Sequence, residues 1–174
     1  MLLRVLIALF LASAGCAGDG SIDPPLAGEI RAGSAAMDGT GFVEVADGTV
    51  VTLVPGSQGG FHVWLSTSIH GVTGTLHIER TARRVSDNAL VYRGQRQLVE
   101  IPEEAMDGWW NDAHAIPAFM CPSPIGVKVF DEPLLFEVRL LSDDDEVLAS
   151  DRLVLEPHCP DGDLAAFCVQ ICSG

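Results

Sequence analysis

Apolar and polar residues alternate in short runs along the chain from Gly41 onward. The clearest run places Phe61, Val63 and Leu65 on one side of a strand, with His62 and Trp64 on the other. Similar runs lie at 49–53, 75–79, 136–140 and 147–155. Turn-forming glycine, proline, asparagine and aspartate residues separate the runs. This pattern predicts an all-β fold, an antiparallel β-sandwich of immunoglobulin-like architecture with about seven to nine strands.

The predicted sandwich occupies residues 37–158, and residues 159–174 form a cysteine-containing tail that packs on it. A short helix is predicted within the tail, around Asp163 to Ile171. True immunoglobulin domains have a cysteine on the strand before a central tryptophan. Here only Cys16 precedes Trp64, so the architecture is expected without that disulfide.

The N-terminus has the three-part layout of a secretory signal. One basic residue, Arg4, precedes an apolar run over 5–12, and small residues follow immediately before Cys16. The run is too short to span a bilayer. Residues 17–36 are rich in small and turn-forming residues, so 16–36 are predicted to be a flexible tether.

The segment Ser13-Ala14-Gly15-Cys16 resembles the lipobox of bacterial lipoproteins, although Ser13 stands where that family usually has leucine. The resemblance implies cleavage after residue 15, acylation of Cys16 and attachment to a cell-envelope membrane through that lipid. Residues 17 and 18 lack the aspartate that some bacteria read as inner-membrane retention, which favours the outer membrane. Beyond the signal, the chain resembles secreted lipoproteins with a small β-sandwich domain, a resemblance that implies no particular activity.

The chain is strongly acidic, with a net charge of −14. Nucleic acid is therefore not an expected partner, because its phosphates would be repelled. The basic residues are unevenly placed: Arg80, Arg83, Arg84, Arg93 and Arg96 cluster in a predicted hairpin over 80–96. Such a basic edge discourages strand pairing between molecules, and it also suits an acidic partner or a polyanionic glycan.

Besides Cys16, four cysteines remain, which in an exported chain predicts two disulfides. They are Cys121, Cys159, Cys168 and Cys172. Three pairings are possible. We favour Cys121–Cys159 because each lies just outside a predicted strand pair, which leaves Cys168 with Cys172.

Two segments are candidate ligand-binding sites. In the first, Gln58 precedes a glycine pair, and His62 and Trp64 then point to one face of a strand. The serine of this segment lacks the strand-turn-helix context of a nucleophile elbow. In the second, Trp109 and Trp110 are adjacent, so they cannot both point into the core from one strand. Either an exposed ring stacks on a sugar ring or a partner, or both rings cap an open end of the sandwich within an ordered loop, and we favour the capping role.

Histidine ligands suggest an alternative function in metal binding. His62 and His77 would face each other if their strands paired, which would suit copper or zinc. No arrangement of nucleophile, base and orienting acid is recognisable, and no cofactor loop is present. The sequence therefore predicts a non-enzymatic binding or structural domain without a cofactor. Its expected partners are the membrane, through the lipid, and an envelope protein or glycan.

Overall fold

The computed structural model describes residues 27–174. The predicted signal peptide, Cys16 and most of the predicted tether lie outside these residues. Among residues 27–174, no helix combines the length and apolar character needed to cross a bilayer.

Within residues 27–174, eleven strands form most of the regular secondary structure. In chain order they are β1 (Glu29–Gly33), β2 (Thr49–Thr52), β3 (Val54–Pro55), β4 (Phe61–His70), β5 (Gly74–Arg84), β6 (Leu90–Arg93), β7 (Gln97–Ile101), β8 (Trp110–Asn111), β9 (Ile116–Cys121), β10 (Leu134–Leu141) and β11 (Val147–His158). Short 3₁₀ turns lie at Glu103–Met106 and Gly162–Leu164, and the helix α1 spans Ala165–Ile171. The predicted C-terminal helix is confirmed.

The strands form two sheets that pack face to face, which confirms the all-β sandwich. In the five-stranded sheet, β4 is central: β1 and β3 pair along one edge, and β8 and β9 pair along the other. The six-stranded sheet has the order β2-β11-β10-β5, with β6 and β7 both on the far side of β5. The pairing of β2 with β11 is parallel and the other pairings are antiparallel. The strand count exceeds the prediction because two-residue strands such as β3 and β8 leave no alternating pattern to read.

The core follows the predicted alternation. Phe61, Val63 and Leu65 of β4 are buried in the same apolar cluster as Phe136 and Leu140 of β10. Burying a side chain of this size stabilises the fold by roughly 1.5–3 kcal/mol. A polar contact also joins the sheets, because the backbone N–H of Ala32 donates to the Asp151 carboxylate at 2.8 Å.

The tether prediction is wrong for residues 29–33, which form β1. Ile30 and Ala32 are buried and pair in register with Ile69 and Thr67 of β4. The small residues around Ile30 and Ala32 have the composition of a flexible linker. Two inward-facing side chains form too short an alternating pattern to predict a strand against that composition.

Two disulfides fasten α1 to the sandwich, but the predicted pairing is wrong. The bonds are Cys121–Cys172 and Cys159–Cys168. Cys168 in α1 and Cys172 at its C-cap lie one turn apart, with their sulfurs 3.7 Å apart. Each bonds to a cysteine at the end of a different strand. From the loop lengths of 51 and 9 residues, the bonds stabilise the fold by about 4 and about 2.5 kcal/mol in the chain-entropy model.

Candidate functional site

The outer face of β4 carries an aromatic cluster formed by His62, Trp64 and Phe119. The His62 ring lies edge-on to the Trp64 ring, with centroids 4.4 Å apart, and 5.2 Å from the Phe119 ring. Phe119 reaches this face because β9 pairs with β4 in a register that places Phe119 opposite His62. The predicted grouping of His62 with Trp64 is therefore present, and Phe119 is an addition.

Two members of this cluster, His62 and Trp64, are less exposed than the third. His62 is buried, and the indole N–H of Trp64 donates to the Met37 carbonyl in a loop that packs over the ring. Phe119, in contrast, is 49% exposed. At the predicted ligand-binding surface, His62 therefore lies buried between the rings of Trp64 and Phe119, and Trp64 remains partly exposed. Gln58 lies in the exposed turn before β4, and Gly56 of the same turn lies against the Phe119 ring.

Burial also sets the electrostatics of His62. Among the described residues, neither of its ring nitrogens has a hydrogen-bond partner. Burial lowers the pKa of His62 below its ordinary value of 6.5, because the charged imidazolium would be poorly solvated there. The ring is therefore neutral at pH 7.

We expect acid to destabilise the fold through His62. Its pKa is lowered in the folded state, so the unfolded chain binds the extra proton and the free energy of unfolding falls as the pH drops below about 6.5. In His62→Phe this contribution should vanish, whereas in a variant of the exposed His114 it should remain. Urea midpoints at about pH 7.5 and about pH 5 measure the difference. An equally steep loss in His62→Phe would contradict this assignment.

A groove of about 640 Å³ opens beside Phe119. It lies between β9 on the edge of one sheet and the loop that joins β6 to β7 on the edge of the other, and its size is typical of small-ligand sites. Its polar and aromatic lining residues are Tyr92, Arg93, Gln95, Arg96, Gln97 and Phe119. Of these, Arg93 and Arg96 belong to the basic hairpin predicted from the sequence, while Tyr92, Gln95, Gln97 and Phe119 were not predicted as site residues.

The two arginines of the groove differ in their surroundings. Arg96 forms an ion pair with Asp145, which lies in the acidic turn between β10 and β11. Arg93 has no carboxylate within ion-pair distance among residues 27–174, and it also lines a second cavity of about 320 Å³ beside Arg139. Arg93 is therefore the groove cation that is available to a ligand.

Behind the groove, a buried polar network joins the sheets. Arg80 of β5 is only 2% exposed and donates to the Gln97 side-chain oxygen at 2.6 Å. The same guanidinium lies 3.4 Å from the Asp112 carboxylate, which also accepts a hydrogen bond of 3.0 Å from the Thr67 hydroxyl. Burial raises the pKa of Asp112, although the hydrogen bond from Thr67 and the charge of Arg80 oppose that shift. Burial likewise lowers the pKa of Arg80, against the charge of Asp112.

Arg80 thus departs from the prediction that it belongs to an exposed basic edge. The hairpin is confirmed, since β5 and β6 pair antiparallel. However, Arg80 occupies an inward-facing position of β5, between the inward-facing Ile78 and Ala82. Alternation along β5 places it there, and its charge is matched by Asp112 from a distant part of the chain.

The tryptophan pair lies away from the groove, at the opposite end of β4. Trp110 pairs with Ile69 and packs against the core, whereas Trp109 is 37% exposed, as expected for one of the two. The Arg31 guanidinium lies 3.9 Å from the Trp109 ring centroid, and the His70 ring lies 5.3 Å from it. About seven residues of strand separate His62 from this end, roughly 23 Å, so the two predicted binding segments form separate surfaces.

The predicted metal site at His62 and His77 is wrong. β4 and β5 belong to different sheets, and each histidine lies on the outer face of its own sheet. His77 instead lies 3.5 Å from Asp143. Within residues 27–174, the three cysteine sulfurs of Cys159, Cys168 and Cys172 lie as close together as metal ligands, but all three belong to disulfides, and metal coordination needs free thiolates.

Comparisons with known proteins are sparse. No protein-family model matches the chain, and no curated protein matches it significantly. A solved structure with some similarity is a glycosyl hydrolase family 2 member from Bacteroides cellulosilyticus DSM 14838, at 16% identity and a TM-score of 0.44. The alignment covers 74% of this chain and 15% of that chain. A similarity of this extent says nothing about activity.

Proposed function

We propose that this protein is a lipid-anchored cell-envelope protein whose β-sandwich binds a ligand without altering it chemically. The groove between β9 and the β6–β7 loop carries the proposal. Its lining combines aromatic rings, glutamine amides and an unpaired arginine, which are groups that hold ligands by stacking and hydrogen bonding. These groups stand on the edges of the two packed sheets rather than on a free loop alone.

The location rests on the sequence of the first sixteen residues. A basic residue, an apolar run and small residues lead directly to Cys16, as in bacterial lipoproteins. An acidic chain gains no attraction from an anionic bilayer, so attachment depends on the lipid. We infer that the domain is held at an envelope membrane, most readily the outer membrane, where its ligands are envelope glycans or proteins.

Phe119→Ala tests whether the groove is the binding site. The variant removes a half-exposed ring from the groove wall, and we expect it to weaken binding about tenfold with little loss of stability. Phe167→Ala is the matched control, because Phe167 is 42% exposed on α1 and does not line the groove. The full chain in detergent would be titrated by calorimetry with defined neutral oligosaccharides, acidic oligosaccharides and acidic peptides.

Weakening by Phe119→Ala for whichever probe binds, with Phe167→Ala unchanged, is the expected result. If no probe binds with a dissociation constant below about 1 mM, or if both variants bind as the wild type does, the groove is not the ligand site and the proposed function is wrong.

A further inference from the structure

The charge of the groove is opposite to that of the protein. The chain carries a net charge of −14, yet the charged side chains lining the groove are Arg93 and Arg96. With Arg96 paired to Asp145, Arg93 presents a guanidinium whose planar fork matches a carboxylate. Charge complementarity therefore selects an anionic ligand at this place.

Gln97 is held in one orientation by a buried cation. A guanidinium has donors only, so the Gln97 atom that lies 2.6 Å from Arg80 is the amide oxygen. The amide NH₂ group of Gln97, a residue that lines the groove, is then the end of the amide that does not bond to Arg80. Arg80 is itself fixed by burial and by Asp112, so the donor is positioned in advance of binding.

The aromatic groups of the groove suit a ring-shaped ligand. Phe119 offers a half-exposed face, and Tyr92 adds a phenol on the opposite wall. Gly94 makes room for that phenol, because a Cβ at this position would lie 2.5 Å from the Tyr92 hydroxyl. An apolar face beside amide donors and acceptors matches a sugar ring, which has apolar C–H faces and hydroxyl edges.

An extended acidic peptide fits the groove less well. Such a peptide would bind by adding a strand to a free sheet edge. Pro117 interrupts the edge strand β9 because it has no backbone N–H, and β6 is four residues long with a register shift in its pairing to β5. Neither edge offers a continuous run of donors.

We propose that the groove binds an acidic oligosaccharide, with a sugar carboxylate on Arg93, hydroxyl groups on Gln97 and Gln95, and a ring against Phe119. This inference rests on the proposed function and specifies its ligand class. Because the main polar contact is ionic, affinity falls as the salt concentration rises.

The test uses three acidic probes: oligogalacturonate, oligomannuronate and disaccharides that contain glucuronate. Each is compared with its methyl ester, in which a neutral ester of nearly the same shape replaces the charged carboxylate. Poly-glutamate serves as the acidic peptide. Calorimetric titration of the full chain in detergent should show binding of at least one uronate series and at least tenfold weaker binding of its ester.

Two variants and one control locate the contact. Arg93→Gln should weaken uronate binding about tenfold and leave the residual binding of the ester unchanged. Gln97→Glu keeps an oxygen that accepts from Arg80 but replaces the amide donor with a carboxylate oxygen. It should weaken uronate binding at least as much as Arg93→Gln does, without lowering the thermal midpoint of the protein. Arg152→Gln is the control, because it makes the same charge change outside the groove. Arg152 pairs with Glu137 on the surface, and this variant should bind uronates as the wild type does.

The outcomes separate this inference from the proposed function. One contrary result is that esters bind as well as uronates; another is that poly-glutamate binds and neither sugar series does. If Phe119→Ala weakens the binding in either case, the groove is still a ligand site, but the inference of an acidic sugar is wrong. Equal weakening by Arg93→Gln and Arg152→Gln also overturns it, because the effect would then be overall charge. Absence of binding by every probe overturns both proposals.

Discussion

Asp112→Ala is expected to lower the free energy of unfolding by about 3–5 kcal/mol. The variant leaves Arg80, which is 2% exposed, without a countercharge between the sheets. It also removes the acceptor of the Thr67 hydroxyl. The cost of burying an unpaired charge exceeds the net value of the original pair, so the loss is larger than for ordinary core truncation of a small side chain.

Urea denaturation at neutral pH measures this loss, with Glu137→Ala as the control. Glu137 pairs with Arg152 at 3.2 Å, but Arg152 is 68% exposed, so solvent screening limits that pair to about 1 kcal/mol at most. Adding Arg80→Met to Asp112→Ala should restore part of the stability, because the unpaired charge is then gone. A loss in Asp112→Ala no larger than in Glu137→Ala would show that the buried pair is not coupled in this way.

The second large effect is expected at Cys16. Cys16→Ala removes the proposed acylation site, and each buried methylene of an acyl chain contributes about 0.8 kcal/mol to membrane binding. Loss of two or three chains should therefore move nearly all of the protein from the membrane fraction to the soluble fraction. Ser13→Leu, which brings the segment closer to the usual lipobox, should remain in the membrane fraction. Ultracentrifugation of envelope preparations, with immunoblotting of both fractions, measures the distribution.

Retention of Cys16→Ala in the membrane fraction after washing with high salt would contradict lipid attachment at this residue. It would point to attachment through another part of the chain.

The sandwich could be predicted because its strongest determinants are local. The alternation in β4, β5, β10 and β11 is long enough to be read directly, and turn formers separate the strands. The register between strands is not local, so the opposition of Phe119 to His62 was not visible in the sequence. The same holds for the two-residue strands, which form only because β4 offers them an edge.

The groove was predictable only in part, for a related reason. The basic hairpin marks one wall through its composition, and Arg93 and Arg96 lie there as that prediction implies. The opposite wall comes from β9, which begins 20 residues after Arg96. The support of Gln97 comes from Arg80, which pairs with Asp112 across the sheets. The sequence contains one signal of this buried network, which is Arg80 at an inward-facing position of an alternating strand. A buried charge at such a position requires a partner of opposite charge.

The disulfide pairing illustrates the limit of spacing arguments. Cys121 and Cys159 do lie at the ends of strands, as expected, but in different sheets, and each bonds to the helix between them. Sequence alone allows three pairings of four cysteines, and the position of α1 decides among them.

The most direct test of the central claim, a lipid-anchored binding domain of the cell envelope, is the intact mass of the protein purified from bacterial membranes, with and without reduction. We predict a chain that begins at Cys16 and carries acyl chains, whose mass rises by about four hydrogens on reduction of the two disulfides. A chain that retains residues 1–15, or one without any lipid mass, would contradict the claim and remove the reason for seeking the ligand in the envelope.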